Sequence, residues 1–197
     1  MTKTLGIFVF DEIEVLDFSG PFEVFSVANR VAARAGLSPP FRVLTISRSG
    51  EAVMARGGYH FMPSHGFGDA LALDILIVPG GVVDAECQRA EVIDWIKTVD
   101  AGTALTASVC TGAFLLAEAG LLDGRRATTH WEDSDDLERR YPQVRVERDR
   151  PWVDEGRIVT SGGISAGISM SLHLVRLDQG EDFAKAVARQ MEYTWND

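Results

Sequence analysis

Three short apolar runs are the feature that most constrains the fold. They cover residues 5–10, 73–78 and 104–109, and each is closed by a turn or a polar pair. A run that is apolar throughout, rather than at alternate positions, is typical of a strand buried on both faces of a sheet. Helix-length segments follow all three runs, and strands that alternate with helices favour a parallel sheet covered on both faces. The sequence therefore predicts one α/β domain over residues 1–197.

The remaining elements follow from local signals. Ser19 and Gly20 precede Pro21, an order that is typical of a helix start, and the helix is expected to run to about Ala35. Gly57-Gly58 predicts a two-residue hairpin turn. Further strands are expected at residues 41–47, 144–147, 152–154 and 158–161, and further helices at 91–101, 131–140, 165–177 and 181–193.

Cys110 lies where a predicted strand turns sharply into a helix. The strand ends at this cysteine, Thr111-Gly112 forms the turn, and a helix-forming run follows at once. The free N–H groups of a helix's first turn stabilise a thiolate, and a sharp strand-to-helix turn is a common site for a nucleophile. A small buried residue at the end of a core strand is the alternative interpretation of this cysteine.

Two other groups are expected near Cys110, because sites in parallel sheets form at the carboxyl ends of strands. Pro79-Gly80-Gly81 closes the second apolar run, and its backbone N–H groups are candidate oxyanion donors together with Gly112. Asp17 stands between Leu16 and Phe18 just before the first predicted helix. It is either a helix cap or a partly buried carboxyl group that exchanges a proton with a thiol.

The histidines give one further candidate for the site, and the sequence indicates neither a metal site nor a nucleotide cofactor. His130 follows a strand and is expected to approach the site, whereas His173 lies on an apolar helix and is expected in the core. Neither His60 nor His65 has a third ligand at a suitable spacing, so we predict no metal site. No glycine pattern matches a dinucleotide fingerprint or a P-loop, and we expect no cofactor.

Composition excludes several classes of partner. The net charge is −10, with 19 basic against 29 acidic groups, which argues against binding to nucleic acid or to anionic membranes. No apolar stretch is long enough to span a membrane, and no segment resembles a signal peptide. Two cysteines form no disulfide framework. We therefore expect a cytoplasmic protein, whereas the net charge does not bear on a small-molecule substrate.

Four motifs together resemble the ThiJ/PfpI superfamily, a group related to class I glutamine amidotransferases. They are Ile77-Val-Pro-Gly-Gly81, Ser108-Val-Cys-Thr-Gly-Ala-Phe-Leu-Leu-Ala117, Ala127-Thr-Thr-His-Trp131 and Thr160-Ser-Gly-Gly-Ile-Ser-Ala-Gly167. The resemblance implies a flavodoxin-like α/β sandwich, mostly parallel, with a nucleophile elbow at Cys110 and usually a homodimer. Among its branches, the chain is most similar to the isonitrile hydratases. In that branch the residues matching Cys110, Asp17 and Thr111 are the nucleophile, its acid/base partner and a site neighbour.

Differences from two other branches of the superfamily argue against protease and glyoxalase activity. The protease branch has a histidine where Thr111 stands, and the glyoxalase branch has a glutamate where Asp17 stands. We predict the hydration of an isonitrile to an N-substituted formamide, with Leu16, Phe18 and Trp131 as apolar walls. The alternatives are a stand-alone ligand or redox sensor, related to the sensor domains of AraC-type regulators, and a cysteine hydrolase or glyoxalase.

Overall fold

The computed structural model describes residues 1–195 of the chain. The strands are β1 (Lys3–Phe8), β2 (Phe41–Ser47), β3 (Val53–Ala55), β4 (Tyr59–Phe61), β5 (His65–Gly66), β6 (Ile75–Val78), β7 (Leu105–Val109), β8 (Arg126–Ala127), β9 (Arg145–Val146), β10 (Trp152–Asp154) and β11 (Ile158–Ser161). The helices are α1 (Val15–Arg34), α2 (Asp84–Cys87), α3 (Ala90–Gly102), α4 (Gly112–Glu118), α5 (Ser134–Arg140), α6 (Ala166–Gln179) and α7 (Glu181–Gln190).

A seven-stranded sheet in the order β10-β11-β7-β6-β1-β2-β5 forms the centre of the molecule. All its neighbouring strands are parallel except β10 and β11, which are antiparallel. After β1 the chain forms β2 on one side of β1, whereas β6 and β7 lie on the other side of β1. This reversal of direction between β1 and β6 is a topological switch point, where open α/β sheets form their binding crevices.

Helices cover both faces of the sheet. Helices α1, α6 and α7 pack against one another, and α2, α3 and α4 form a second group. Every residue of β6 is buried, as its apolar run predicted for a strand enclosed on both sides. Every residue of β11 is buried as well, although this strand was predicted without an apolar run. The flavodoxin-like α/β arrangement expected from the sequence is therefore confirmed.

Helix α1 begins earlier than its sequence signals predicted. It starts at Val15 rather than near Ser19, so Asp17 lies in its first turn and Pro21 lies inside the helix. Tertiary contacts fix this start: the Glu14 N–H donates to the Gly80 carbonyl at 2.9 Å, and Ile13 forms an isolated bridge with Gly81. The loop after β6 thus determines where the helix begins, a constraint that the local sequence does not contain.

The other predicted elements differ from the structure at their ends, and β5 and α2 were not predicted. Strand β1 ends at Phe8 rather than at residue 10, and the segment at 131–140 begins with a 3₁₀ turn before α5. The hairpin is present as β3 and β4, but its connection is the three-residue turn Arg56–Gly58. Within residues 1–195, no helix is both long and apolar enough to cross a membrane.

Replacing Gly112 by alanine tests the close packing of the elbow on β6. A Cβ atom on Gly112 would lie 2.0 Å from the Val78 carbonyl oxygen, so the backbone would have to move. We expect Gly112→Ala to lower the free energy of unfolding by about 3 kcal/mol, the upper range for overpacking. Urea denaturation followed by circular dichroism measures this change.

Gly102→Ala is the matched control, because a Cβ atom on Gly102 would have no heavy atom within 4 Å. Alanine favours helix at this position, so its stability should be equal or slightly higher. Equal stability of the two variants would contradict the packing described for Gly112.

Candidate active site

Cys110 lies at a strained elbow between β7 and α4. Its φ angle is 56°, in the left-handed region that residues other than glycine seldom adopt. The Cys110 N–H lies 3.2 Å from the carbonyl oxygens of both Ser161 and Gly162, and the Thr129 hydroxyl donates to the Cys110 carbonyl at 2.9 Å. Contacts from two segments hold the strained backbone, and strain of this kind is typical of functional positions.

Asp17 is buried with no exposed surface. Its Oδ2 accepts a hydrogen bond from the Gly80 N–H at 3.0 Å, whereas Oδ1 has no hydrogen-bond partner within the described residues. It does not cap α1 through its side chain, because the cap position is Glu14 and no side-chain cap bond is present. Of the two interpretations open from the sequence, the structure therefore agrees with the buried carboxyl group.

Burial raises the pKa of both groups. The pKa of Asp17 rises to about 7, chiefly through desolvation and then through the nearby Glu14 charge, while the Gly80 N–H, the Cys110 thiol and the Ile164 N–H oppose the rise. Burial and then the Asp17 charge raise the pKa of Cys110 to about 12, against the lowering effect of the Thr111 and Ile164 N–H groups. The helix donors expected to favour a thiolate are present, but these two effects outweigh them.

These shifts make Asp17 and Cys110 a coupled pair. Each negative charge disfavours the other, so near neutral pH the pair carries at most one negative charge. The ground state is a thiol beside a carboxyl group that titrates close to pH 7. Proton transfer from the thiol to Asp17 produces a nucleophile and an acid in one step, which is the arrangement that acid–base catalysis at neutral pH requires.

The Gly80-Gly81 loop is fully engaged with its neighbours. The Gly80 N–H binds Asp17, and the Gly81 N–H donates to the Thr111 hydroxyl oxygen at 2.9 Å. The Thr111 hydroxyl in turn donates to the Gly81 carbonyl at 2.9 Å. A Cβ atom on Gly80 would lie 2.5 Å from the Thr111 Oγ1 and 2.9 Å from the Asp17 Oδ2. Two of the three N–H groups predicted as oxyanion donors, those of Gly80 and Gly81, therefore position Asp17 and the elbow instead.

Cys110 opens onto a cleft of about 250 Å³. The cleft is lined by Glu14, Arg56, Gly81, Cys110, Thr111, His130, Glu132, Asp133 and Ile164. Its walls are mostly polar, contrary to the apolar walls expected from the sequence. Phe18 instead stacks on Phe61 with ring centroids 4.5 Å apart, Trp131 is 74% exposed, and neither residue nor Leu16 lines the cleft.

His130 reaches the cleft, as predicted, and five further lining residues were not predicted: Glu14, Arg56, Glu132, Asp133 and Ile164. Glu14 and Arg56 form an ion pair of 3.2 Å at the rim of the cleft. Arg56 lies in the connection between β3 and β4, so a part of the chain distant in sequence contributes to the rim. Ile164, with a φ angle of 52°, directs its N–H group towards the Cys110–Asp17 pair. For Ile164, the motif over residues 160–167 was the sequence signal that marked its segment. No group of His, Cys, Asp and Glu side chains within residues 1–195 is arranged to hold a metal ion.

Comparison with known proteins gives one family and two kinds of relative. Residues 3–177 match the DJ-1/PfpI family. The chain is 34% identical over 194 residues to the isonitrile hydratase of Pseudomonas putida, covering 98% of this chain and 79% of that protein. It is 28% identical to the HTH-type transcriptional regulator GbdR of Pseudomonas aeruginosa, covering 97% of this chain and 51% of the regulator. The chain thus spans about half the length of this regulator.

A solved structure of similar fold comes from a ThiJ/PfpI family protein of Pseudomonas syringae. Its TM-score is 0.86 at 24% sequence identity, and the match covers 100% of this chain and 77% of that chain. The agreement extends to the whole α/β architecture described above. At this level of identity the likeness shows the fold alone.

The raised pKa of Asp17 predicts a pH-dependent stability. Because the folded-state pKa of about 7 exceeds the unfolded value near 4, the contribution of Asp17 to the free energy of unfolding is greatest below about pH 4 and is lost as the pH rises through 7. The loss is on the order of 4 kcal/mol for three pKa units. Asp17→Asn should therefore be more stable than the unchanged protein at pH 8 and similar to it at pH 4, as measured by urea unfolding.

Asp11→Asn is the control for this prediction. Asp11 also accepts one backbone hydrogen bond, from the Met54 N–H at 2.9 Å, but it is exposed. It should show no stabilisation that grows with pH. A stability of Asp17→Asn that falls in parallel with that of the unchanged protein between pH 4 and pH 8 would contradict the assignment to Asp17.

The same coupling predicts the reactivity of Cys110. The Asp17 carboxylate raises the pKa of the thiol, so Asp17→Asn should shift the pH profile of Cys110 alkylation to lower pH. Iodoacetamide labelling followed by peptide mass spectrometry measures this at Cys110 separately from Cys87. A profile that moves to higher pH would show that the carboxylate promotes ionisation of the thiol.

Proposed function

Because the chain belongs to the DJ-1/PfpI family, we propose that it is an isonitrile hydratase, which converts R–N≡C and water into an N-substituted formamide. One observation carries the proposal: the nucleophile elbow of Cys110 opens onto a cleft while the buried Asp17 carboxyl lies behind it. A single nucleophile coupled to a single proton carrier is what the reaction needs. The 34% identity to the Pseudomonas putida isonitrile hydratase supports this substrate.

The addition step uses the Cys110–Asp17 pair. Asp17 takes the thiol proton, and the thiolate forms a bond to the terminal carbon of the isonitrile. That carbon then takes the proton from Asp17, which gives a thioimidate, R–N=CH–S–Cys110, and restores the carboxylate. The Thr111 and Ile164 N–H groups stabilise the transient thiolate, since both lower the pKa of Cys110.

Hydrolysis completes the cycle. Water adds to the thioimidate carbon, the substrate nitrogen gains a proton, and the carbon–sulfur bond breaks to release the formamide. The departing sulfur regains its proton and the starting pair is restored. Thr111 acts by positioning in this scheme, because its hydroxyl group is occupied by two hydrogen bonds to Gly81.

The cleft indicates the size and polarity of the substrate. A volume of about 250 Å³ suits a small molecule, and the charged rim of Glu14, Arg56, Glu132 and Asp133 suits an isonitrile with a polar substituent. We expect no cofactor, because the proposed steps use only side chains, backbone N–H groups and water. A homodimer is part of the proposal as the usual assembly of the superfamily.

A ligand-sensing domain is the second candidate. It is favoured by the match to GbdR, a transcriptional regulator. Redox sensing is less favoured, because oxidation proceeds through the thiolate and burial raises the pKa of Cys110 to about 12. Binding of isonitriles without turnover would support the sensor over the enzyme.

Isonitrile turnover tests the proposed activity. Purified protein mixed with cyclohexyl isonitrile and with isonitriles that carry polar substituents should release the matching formamides, detected by mass spectrometry. Cys110→Ala should abolish the activity, and Asp17→Asn should reduce kcat at least 10²-fold, the usual scale for losing an acid–base group.

Cys87→Ala is the control, since Cys87 lines a different cavity from Cys110. It should retain activity within about threefold. An absence of formamide from all the isonitriles would refute the function, and turnover by Cys110→Ala would refute the mechanism.

A further inference from the structure

The cleft beside Cys110 carries more acidic than basic side chains. Three carboxyl groups line it, against one arginine, Arg56, and one histidine, His130. We propose that the cleft selects isonitriles whose substituent ends in a cation such as an ammonium group, which Glu132 and Asp133 bind. This inference rests on the proposed isonitrile hydratase activity, for which it names the class of substrate.

The arginine that lines the cleft is already paired with a carboxylate. Arg56 Nη1 lies 3.2 Å from Glu14 Oε2, so these two opposite charges offset each other at the rim. An anionic substituent would have to compete with Glu14 for the guanidinium group. The charges of Glu132 and Asp133 are therefore not balanced by Arg56.

Glu132 and Asp133 differ in this respect from the acidic residues that follow them. Asp135 and Asp136 each form an ion pair with an arginine. Within residues 1–195, neither Glu132 nor Asp133 forms an ion pair with a lysine or an arginine, and their one cationic neighbour is a histidine. The two residues without an arginine line the cleft, whereas Asp135 and Asp136 do not. The uncompensated charge of this acidic segment therefore faces the cleft.

His130 supplies at most one positive charge to these two carboxylates. Its Nδ1 lies 3.4 Å from Asp133 Oδ2 and 3.9 Å from Glu132 Oε2. Protonation of the ring would balance one carboxylate and leave the other uncompensated. Burial raises the pKa of Asp133 above its ordinary value, His130 opposes the rise, and the Glu132 charge adds to it. A cation bound in the cleft would stabilise both carboxylates in their charged forms.

The side chain of Asp133 is not used to cap helix α5. Asp133 holds the N-cap position, but it forms no side-chain cap bond. Its side chain is 40% exposed and that of Glu132 is 64% exposed, so a ligand in the cleft can contact both. An ammonium group donates up to three hydrogen bonds, and those between charged partners are stronger than neutral ones. A substituent that ends in ammonium therefore suits this pair better than an alkyl group of the same size.

The test compares three isonitriles of similar size. They are pentyl isonitrile, its analogue with an ammonium group in place of the terminal methyl group, and its analogue with a carboxylate group there. Near neutral pH, kcat/KM for formamide formation should be about tenfold higher for the ammonium compound than for pentyl isonitrile, and lowest for the carboxylate compound.

The double variant Glu132→Gln, Asp133→Asn should lose this preference, leaving the ammonium and pentyl compounds within about twofold of each other. Because the result is a ratio between two substrates, an effect of the variant on the chemical step cancels. Glu132→Gln alone, at an exposed position, should lower the ratio about threefold and carries the test if the double variant does not unfold cooperatively.

Asp135→Asn, Asp136→Asn is the control with the same change in net charge. Both residues belong to the same acidic segment but do not line the cleft, so the ammonium preference should remain. Turnover of the pentyl and ammonium compounds at equal kcat/KM by the unchanged protein would refute the charge preference and leave the hydratase function intact. A preference that survives in the Glu132→Gln, Asp133→Asn variant would refute the role of these two residues.

Binding separates this proposal from the hydratase activity. Cys110→Ala cannot form the thioimidate, so its affinity for the three compounds reports the charge preference without turnover. Isothermal titration calorimetry should give a Kd about tenfold lower for the ammonium compound than for pentyl isonitrile. Equal Kd values would refute the charge preference. If no compound is turned over by the unchanged protein but Cys110→Ala still prefers the ammonium compound, the hydratase function is refuted and the cation preference of the cleft is retained.

Discussion

The coupling of one buried carboxyl group to one thiol is the interaction on which the account depends. Asp17 is held by the Gly80 N–H at 3.0 Å and has no exposed surface, so its charged form lacks the stabilisation that water provides. Its pKa rises to about 7, and the same charge contributes to raising the pKa of Cys110. The cost of burying the carboxylate therefore sets where the proton resides, and a fold that exposed Asp17 would remove the coupling.

The topology of the sheet places Asp17 and Cys110 next to each other. The loops after β1, β6, β7 and β11 all end at one edge of the sheet, on either side of the switch point. A Cβ atom at Gly80, Gly81 or Gly112 would overlap neighbouring atoms, so glycine permits these loops to approach closely. The strain at Cys110 and Ile164 is maintained because the surrounding hydrogen bonds fix the backbone on both sides.

Local sequence signals predicted the sheet and part of the site, but long-range contacts decided the rest. The apolar runs predicted the buried strands, and the elbow motif predicted the position of Cys110. The start of α1 was misplaced because Gly80 and Gly81 fix it from 63 or more residues away, and the Gly80 N–H bond to Asp17 spans that same separation. The polar cleft was missed because Arg56 reaches it from a hairpin and Phe18 turns instead towards Phe61.

Infrared difference spectroscopy of the resting protein measures the location of the shared proton most directly. Between pH 5 and pH 9, the account predicts that the carboxylic acid band of Asp17 disappears with a midpoint near pH 7, while the S–H band of Cys110 persists. Asp17→Asn and Cys110→Ala assign the two bands. Loss of the S–H band in this range while the carboxylic acid band remains would show a resting thiolate beside a protonated Asp17, and would contradict the account.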